Sequence, residues 1–209
     1  MEILEICAAY VVCVKPVGLA SQGEGMESMP GRLAAEIGGE IYPVHRLDQA
    51  VGGVMVYART REAAAALSRA VQEGRLEKDY LAVLTKAMPE ARGELRDLLY
   101  HDRVKNKTYV VKRKRGGVKE AVLEYETLRR GAAGTLVRVR LHTGRTHQIR
   151  VQFASRGCPL AGDGKYGGGS GSVALWSWRL AFPDPRDGAR REFCRRPEGS
   201  IWGGFEVPE

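Results

Sequence analysis

No stretch of this 209-residue chain is apolar over the length a membrane helix needs, which argues against a helical membrane protein. Cysteine is scarce. Cys7, Cys13, Cys158 and Cys194 are scattered and form no C-x-x-C pair, so neither a disulfide framework nor a zinc ribbon is expected. His142, His147 and Cys158 match no common zinc spacing, and no metal site is expected. The chain also lacks the phosphate-loop pattern G-x-x-x-x-G-K-[ST], a serine nucleophile elbow, an H-E-x-x-H pair and a cluster of paired carboxylates. These gaps remove nucleotide triphosphatases, serine hydrolases and zinc peptidases from consideration. They leave a reaction that needs no cofactor. Met1-Glu2-Ile3-Leu4-Glu5 is acidic, unlike a secretory or transit signal, and implies a cytoplasmic protein with reduced thiols.

A net charge of +8 is present, and it is concentrated. Arg103, Lys105, Lys107, Lys112, Arg113, Lys114, Arg115 and Lys119 fall in a span without one acidic residue. Removing these eight from the 33 basic residues leaves 25, against 25 acidic ones. Thr108-Tyr109-Val110-Val111 reads as a strand, and Gly116-Gly117 as a turn, so a basic hairpin is expected at 103–119. Such a hairpin suits a phosphate backbone, and a solvated charged face is the competing reading.

Apolar runs predict strands over Tyr10–Val14, Ile41–Val44, Val54–Tyr57, Tyr80–Leu84, a pair around 97–112, Val118–Leu128, Leu136–Leu141 and Val173–Phe182, with Phe193 in another. A turn is expected near Gly52-Gly53. Helices are expected over Arg32–Ile37, over Arg61–Glu73 with Thr60 as cap, and from a Thr146 cap through Arg156. Many strands and few helices predict an α+β fold: a mixed, mainly antiparallel sheet with flanking helices. Neither repeat nor linker is apparent, so a single domain over 1–209 is expected.

Gly162-Asp163-Gly164-Lys165-Tyr166-Gly167 matches G-x-G-x-x-G only formally, because it does not join a strand to a helix. Taken singly, Asp48 reads as a turn residue before Gly52-Gly53, Arg46 as a surface arginine, Tyr80 as a core aromatic and Arg150 as a polar helix position. Arg145, Thr146 and the amides of the helix start would make a phosphate-binding corner, or an ordinary capped helix.

In combination, these segments resemble the RluA-type RNA pseudouridine synthases. The residues that carry the resemblance are Lys15-Pro16-Val17-Gly18, His45-Arg46-Leu47-Asp48, Lys78-Asp79-Tyr80-Leu81-Ala82-Val83, Leu141 to Val151, and Gly162-Asp163 with Tyr166-Gly167. The resemblance implies a sheet with flanking helices and a central RNA-binding cleft, and the catalytic domain alone, without the small N-terminal RNA-binding domain that several relatives carry. It implies isomerisation of a specific uridine to pseudouridine in ribosomal or transfer RNA. Asp48 would be the catalytic aspartate, acting on the ribose carbon, on the base or on a ribose proton. Arg46 would fill the gap left by the extruded base, and Tyr80 would stack on the uracil. Arg150 would pair with Asp48, its fork fixing the carboxylate's direction. Arg145, Lys112, Arg113, Lys114 and Arg115 would hold RNA backbone.

The chain departs from many relatives at Val51-Gly52, where they have Thr-Ser, and at Gln152, where they have His. The expected partner is RNA, the expected state a monomer, and the expected cofactor none. A non-catalytic RNA-binding or RNA-chaperone module on the same fold is the alternative, and retention of Asp48, Tyr80 and Arg150 weighs against it.

Overall fold

Tyr10-Val11-Val12-Cys13 is apolar at every position, a composition suited to a strand covered on both faces, and all four side chains are buried. The computed structural model describes residues 1–207. In chain order the elements are β1 (Glu2–Ile6), β2 (Tyr10–Lys15), α1 (Met29–Ile37), β3 (Tyr42–Pro43), β4 (Gly52–Ala58), α2 (Arg61–Gln72), β5 (Glu77–Leu84), β6 (Arg92–Asp102), β7 (Lys107–Val111), β8 (Val118–Gly131), β9 (Gly134–Leu141), α3 (Gln148–Ala154), β10 (Leu175–Pro183) and β11 (Arg190–Cys194). They fall into two compact units. One holds Met1–Lys78 with Trp176–Pro197, and the other Asp79–Leu175 with Glu198–Val207. Within each unit the described strand pairings are antiparallel except that between β4 and β10, which gives the expected mixed, mainly antiparallel α+β fold.

In the first unit the strand order is β1-β2-β4-β10, with β11 on β10 and β3 on the end of β4. Helix α2 begins where Thr60 accepts the Ala63 amide at 3.1 Å. Its Ala63, Leu67 and Ala70 pack on Val54, Val56 and Phe182. Leu67 is fully buried there, worth roughly 2 kcal/mol. Helix α1 starts three residues earlier than expected, because Ser28 caps it through the Gly31 amide and Pro30 occupies the first turn. The β10–β11 hairpin closes on Asp184, a buried carboxylate that accepts from Arg186 and Arg191. Those arginines hold it well below the usual carboxylate range.

Gly52 and Gly53 are not a turn. They open β4, and the reversal lies just before them, where the Val51 amide donates to Asp48 O. Both are sites of close approach to β10. A Cβ on Gly52 would sit 2.4 Å from the Trp176 ring, and one on Gly53, at φ +123°, would sit 2.3 Å from Ser177 O. The Trp176 ring therefore leaves no room for a side chain at position 52.

In the second unit the order is β5-β9-β8-β6-β7, antiparallel throughout. The basic segment is folded differently from the expected hairpin. β7 pairs with β6 (Tyr100 opposite Tyr109), and β8 pairs with the other edge of β6 (Tyr100 opposite Val118). Gly116-Gly117 thus belongs to a crossover between strands that flank β6. Arg115 lies 5.1 Å over the Tyr100 ring within this crossover. The hairpin turn is instead at 103–106, where Asp102 accepts the Val104 and Lys105 amides.

Candidate active site

His45, Arg46, Leu47 and Asp48 alternate in burial: His45 and Leu47 are buried, Arg46 is exposed and Asp48 is half-buried. The buried members act as anchors. His45 Nε2 accepts the Val56 amide at 3.1 Å, so the ring is tied to β4. Burial, with Lys78 nearby, pushes the His45 imidazole down to about 3, which keeps it neutral and able to accept. Ser21 Oγ donates to Leu47 O at 2.8 Å and receives the Leu47 amide at 3.2 Å. Tyr57 Oη in turn holds Ser21 O at 2.9 Å.

Beyond Asp48, Gln49 O accepts the Gly18 amide at 2.8 Å, and Gln49 Nε2 returns a bond to Gly18 O at 2.9 Å. Lys15 is fully buried at the end of β2. Its ammonium donates to Pro16 O, to Leu19 O at 2.6 Å and to Gln49 O at 3.3 Å. Burial pushes Lys15 down to about 8, against the opposing pull of the Asp48 charge. The Lys-Pro segment and the His-Arg-Leu-Asp segment are therefore one backbone assembly, presenting the Arg46 and Asp48 side chains.

Tyr80 and Arg150 both belong to the second unit. Tyr80 is buried on β5 opposite Val139. Its neighbour Asp79 is buried and forms a two-bond pair with Arg140 of β9 at 2.8 and 3.2 Å, pinning the start of that strand pair. Arg150 is buried on α3. Its Nε and Nη2 donate to the two oxygens of Asp163 at 2.7 and 2.8 Å. The guanidinium also stacks 5.1 Å from the Tyr166 ring centroid.

The start of α3 differs from expectation. Its cap is His147, at φ +53° and with no side-chain bond to the helix, not Thr146. The helix is seven residues long, Gln148–Ala154, and the Gln148 amide is bonded to Arg145 O at 3.0 Å. The preceding loop is organised by the Gln148 side chain. Its Oε1 accepts from Thr143 Oγ1 at 2.8 Å and from the Arg145 amide at 3.0 Å, while its Nε2 donates to Val122 O. Arg145 Nε donates to Glu120 O at 2.8 Å. The Thr146-capped phosphate corner is thus replaced by a loop satisfied largely from within. Gln152 is fully buried and donates to Leu95 O and Asp97 Oδ2, a packing role.

Lys112, Arg113, Lys114 and Arg115 sit in the β7–β8 crossover, exposed or nearly so. Among the described residues, no three His, Cys, Asp or Glu side chains are grouped to hold a metal ion. Reading by motif named Arg46, Asp48, Tyr80 and Arg150 and assigned no role to their supports Lys15, Ser21, Asp79, Asp163 and Tyr166. Lys15, Asp79, Asp163 and Tyr166 lie within the segments that carry the resemblance, and Ser21 lies outside them.

Comparison with known proteins adds an independent line. The RNA pseudouridylate synthase family matches residues 9–155. An uncharacterized RNA pseudouridine synthase of Aquifex aeolicus is 43% identical over 143 residues, 66% of this chain and 44% of that protein. One from Zymomonas mobilis is 35% identical over 174 residues, 79% of this chain and 78% of its own length. Ribosomal large subunit pseudouridine synthase D of Xanthomonas campestris is 39% identical over 125 residues, 60% of this chain and 37% of that protein. The chain spans about half the length, or less, of the Aquifex, Bacillus subtilis and Xanthomonas relatives. The fold is shared with human RNA pseudouridylate synthase domain containing 1, at a TM-score of 0.78 and 23% identity over 94% of this chain and 83% of that one. The chain belongs to the RNA pseudouridylate synthase family.

Proposed function

We propose that this chain isomerises a specific uridine to pseudouridine in RNA, with Asp48 as nucleophile or base. The observation that carries this reading is how Asp48 is presented. Both backbone groups of Leu47 are held by one serine hydroxyl, Asp48 O and Gln49 O accept further bonds, and the carboxylate itself is half-buried. Such pre-organisation suits a side chain that must meet a reacting atom in one orientation.

The reaction breaks the bond from ribose to uracil nitrogen 1 and forms the bond from ribose to carbon 5; the proton on carbon 5 is released to solvent and nitrogen 1 takes one up, so the product is an isomer of the substrate. Arg46, exposed beside Asp48, fills the space of the extruded nucleotide, and Tyr80 stacks on the uracil. Arg150 engages Asp163 through Nε and Nη2, and we assign it to pairing with the catalytic aspartate. Arg145, Lys112, Arg113, Lys114 and Arg115 hold RNA backbone, in a cytoplasmic protein acting as a single catalytic domain and a monomer. Relatives named for the large ribosomal subunit make ribosomal RNA the first substrate to test, ahead of transfer RNA.

The test is pseudouridine mapping in cells with and without the gene, followed by the Asp48→Asn variant on the RNA whose site disappears. Loss of product with RNA binding retained is expected. Product formation by Asp48→Asn at the wild-type rate refutes the assignment, and binding without product in the wild type favours an RNA-binding or chaperone module.

A further inference from the structure

The Tyr166-Gly167 pair is a motif for which the reading above provides no task, and its surroundings are specific. Tyr166 and Asp163 come from one tight turn: the Tyr166 and Gly168 amides both donate to Asp163 O, at 3.1 and 2.8 Å. That turn has no room to loosen at Gly168, where a Cβ would lie 1.7 Å from Leu160 O. The same loop therefore delivers a carboxylate to one edge of Arg150 and an aromatic face to its guanidinium plane. A bidentate carboxylate restricts motion within the guanidinium plane, and a stacked ring restricts motion out of it.

The ring is itself held from outside the loop. Tyr166 Oη accepts the Thr108 amide of β7 at 2.8 Å and lies 2.9 Å from His147 Nδ1, at the cap of the helix that carries Arg150. Thr108 is buried, and its hydroxyl donates to Thr146 O at 2.8 Å. Lys107, beside it on β7, places its ammonium 5.5 Å from the same ring centroid. One side chain thus touches the basic strand, the start of α3 and Arg150.

We propose that Tyr166 is a positioning residue, which holds the Arg150 guanidinium in its working orientation and links that orientation to the seating of β7. The proposal rests on the pseudouridine synthase reading for its kinetic consequence, but its physical content is a property of the folded protein. The hydroxyl supplies the link to β7 and His147, and the ring supplies the restraint on Arg150.

The test has two independent readouts. The first is the Nε–H resonance of Arg150 in the nitrogen-15-labelled full chain, which needs no substrate. In the wild type it should be shifted by the Tyr166 ring current and protected from exchange. Protection should fall at least about tenfold in Tyr166→Leu, as expected for loss of a cation–π contact, and by less in Tyr166→Phe, which keeps the ring. Equal protection in all three proteins overturns the proposal whether or not the chain is an enzyme.

The second readout is release of tritium from carbon 5 of labelled uridine, in total RNA (ribosomal and transfer) prepared from cells lacking the gene. Tyr166→Leu should lower kcat about tenfold with KM within about twofold, and Tyr166→Phe should recover part of that loss. In an Arg150→Lys background, which keeps a cation against Asp163 but no planar face, Tyr166→Leu should cost less than about twofold further. Equal losses in both backgrounds would mean that Tyr166 acts on the fold generally, and would overturn the proposal. A wild type that releases no tritium while Arg150 loses protection in Tyr166→Leu counts against the enzymatic reading, and the positioning role stands.

Discussion

Replacing Asp163 with asparagine should destabilise the protein far more than a single surface substitution does. The Arg150 and Asp163 side chains are only 6% and 1% exposed, and two short charge-assisted bonds join them. Asparagine keeps the shape but offers one acceptor oxygen and no charge, so the buried guanidinium loses one of these two bonds and the counter-ion at this position. Breaking a buried pair from one side costs about 3–5 kcal/mol, because desolvation of the remaining charge is left uncompensated. For a chain of this size that is a fall of roughly 6–20 °C in Tm. The exposed Arg129–Glu206 pair, at 51% and 88% exposure, provides the contrast: Glu206→Gln should change stability by less than about 1 kcal/mol. Urea denaturation of both variants measures the difference directly. A third variant separates charge from packing. Exchanging both partners for apolar residues, Arg150→Met with Asp163→Leu, should recover much of the loss while removing the proposed arginine contact to Asp48. A loss below about 1 kcal/mol for Asp163→Asn would refute the argument, since it would mean that the pair is effectively solvated.

Two further outcomes follow from charge. Burial places the folded Lys15 near 8, below its ordinary 10.5, so the unfolded chain binds more protons in that interval; its contribution is fully present above about 10.5 and is lost as pH falls through about 8. Wild type should therefore gain about 3 kcal/mol over Lys15→Met between pH 8 and 10.5 in denaturant titrations, and parallel stability curves would show that the ammonium is not held dry. Changing Lys112, Arg113, Lys114 and Arg115 to glutamine should flatten the salt dependence of RNA binding by about 2 to 3 in log–log slope, and an unchanged slope would mean that the crossover is merely solvated.

The fold was legible where a local rule governs. Helix α2 announces itself through Thr60, four alanines and Gly74, and its bounds differ from expectation by one residue. The long strands β8 and β9 were found from their apolar runs, though their ends were underestimated. Failures occurred where partners outside the local window decide. The turn near Gly52-Gly53 was legible, and it lies just before them, but the place of the two glycines at the start of β4, closed in by Trp176 and Ser177, was not. The strand pair expected around 97–112 is β6 with β7, whereas Gly116-Gly117, which looks like a second hairpin turn, lies in a crossover because β8 pairs with the other edge of β6. Thr146 has the right chemistry for a cap. It loses that place because Gln148 and Thr143 organise the loop and Thr108 claims the Thr146 carbonyl.

The candidate site divides along the same physical line. Motif reading finds side chains that could meet substrate, because the resemblance attaches chemistry to them, and it is blind to pairs separated by long stretches of chain. Ser21 supports Leu47 across 26 residues, Lys15 reaches Gln49 across 34, and Asp79 meets Arg140 across 61. These supports also explain why His45-Arg46-Leu47-Asp48 works as a unit. Alternate members face inward, with His45 accepting from β4 and Leu47 buried in the core, so the members between them, Arg46 and Asp48, are the ones presented outward. Inserting or deleting one residue here would exchange anchors for tools, burying a charge and exposing an imidazole. The neutrality of His45 is part of the same device. Only the neutral ring can accept the Val56 amide, and burial, with Lys78 nearby, pushes the imidazole down to about 3, so that form holds at neutral pH.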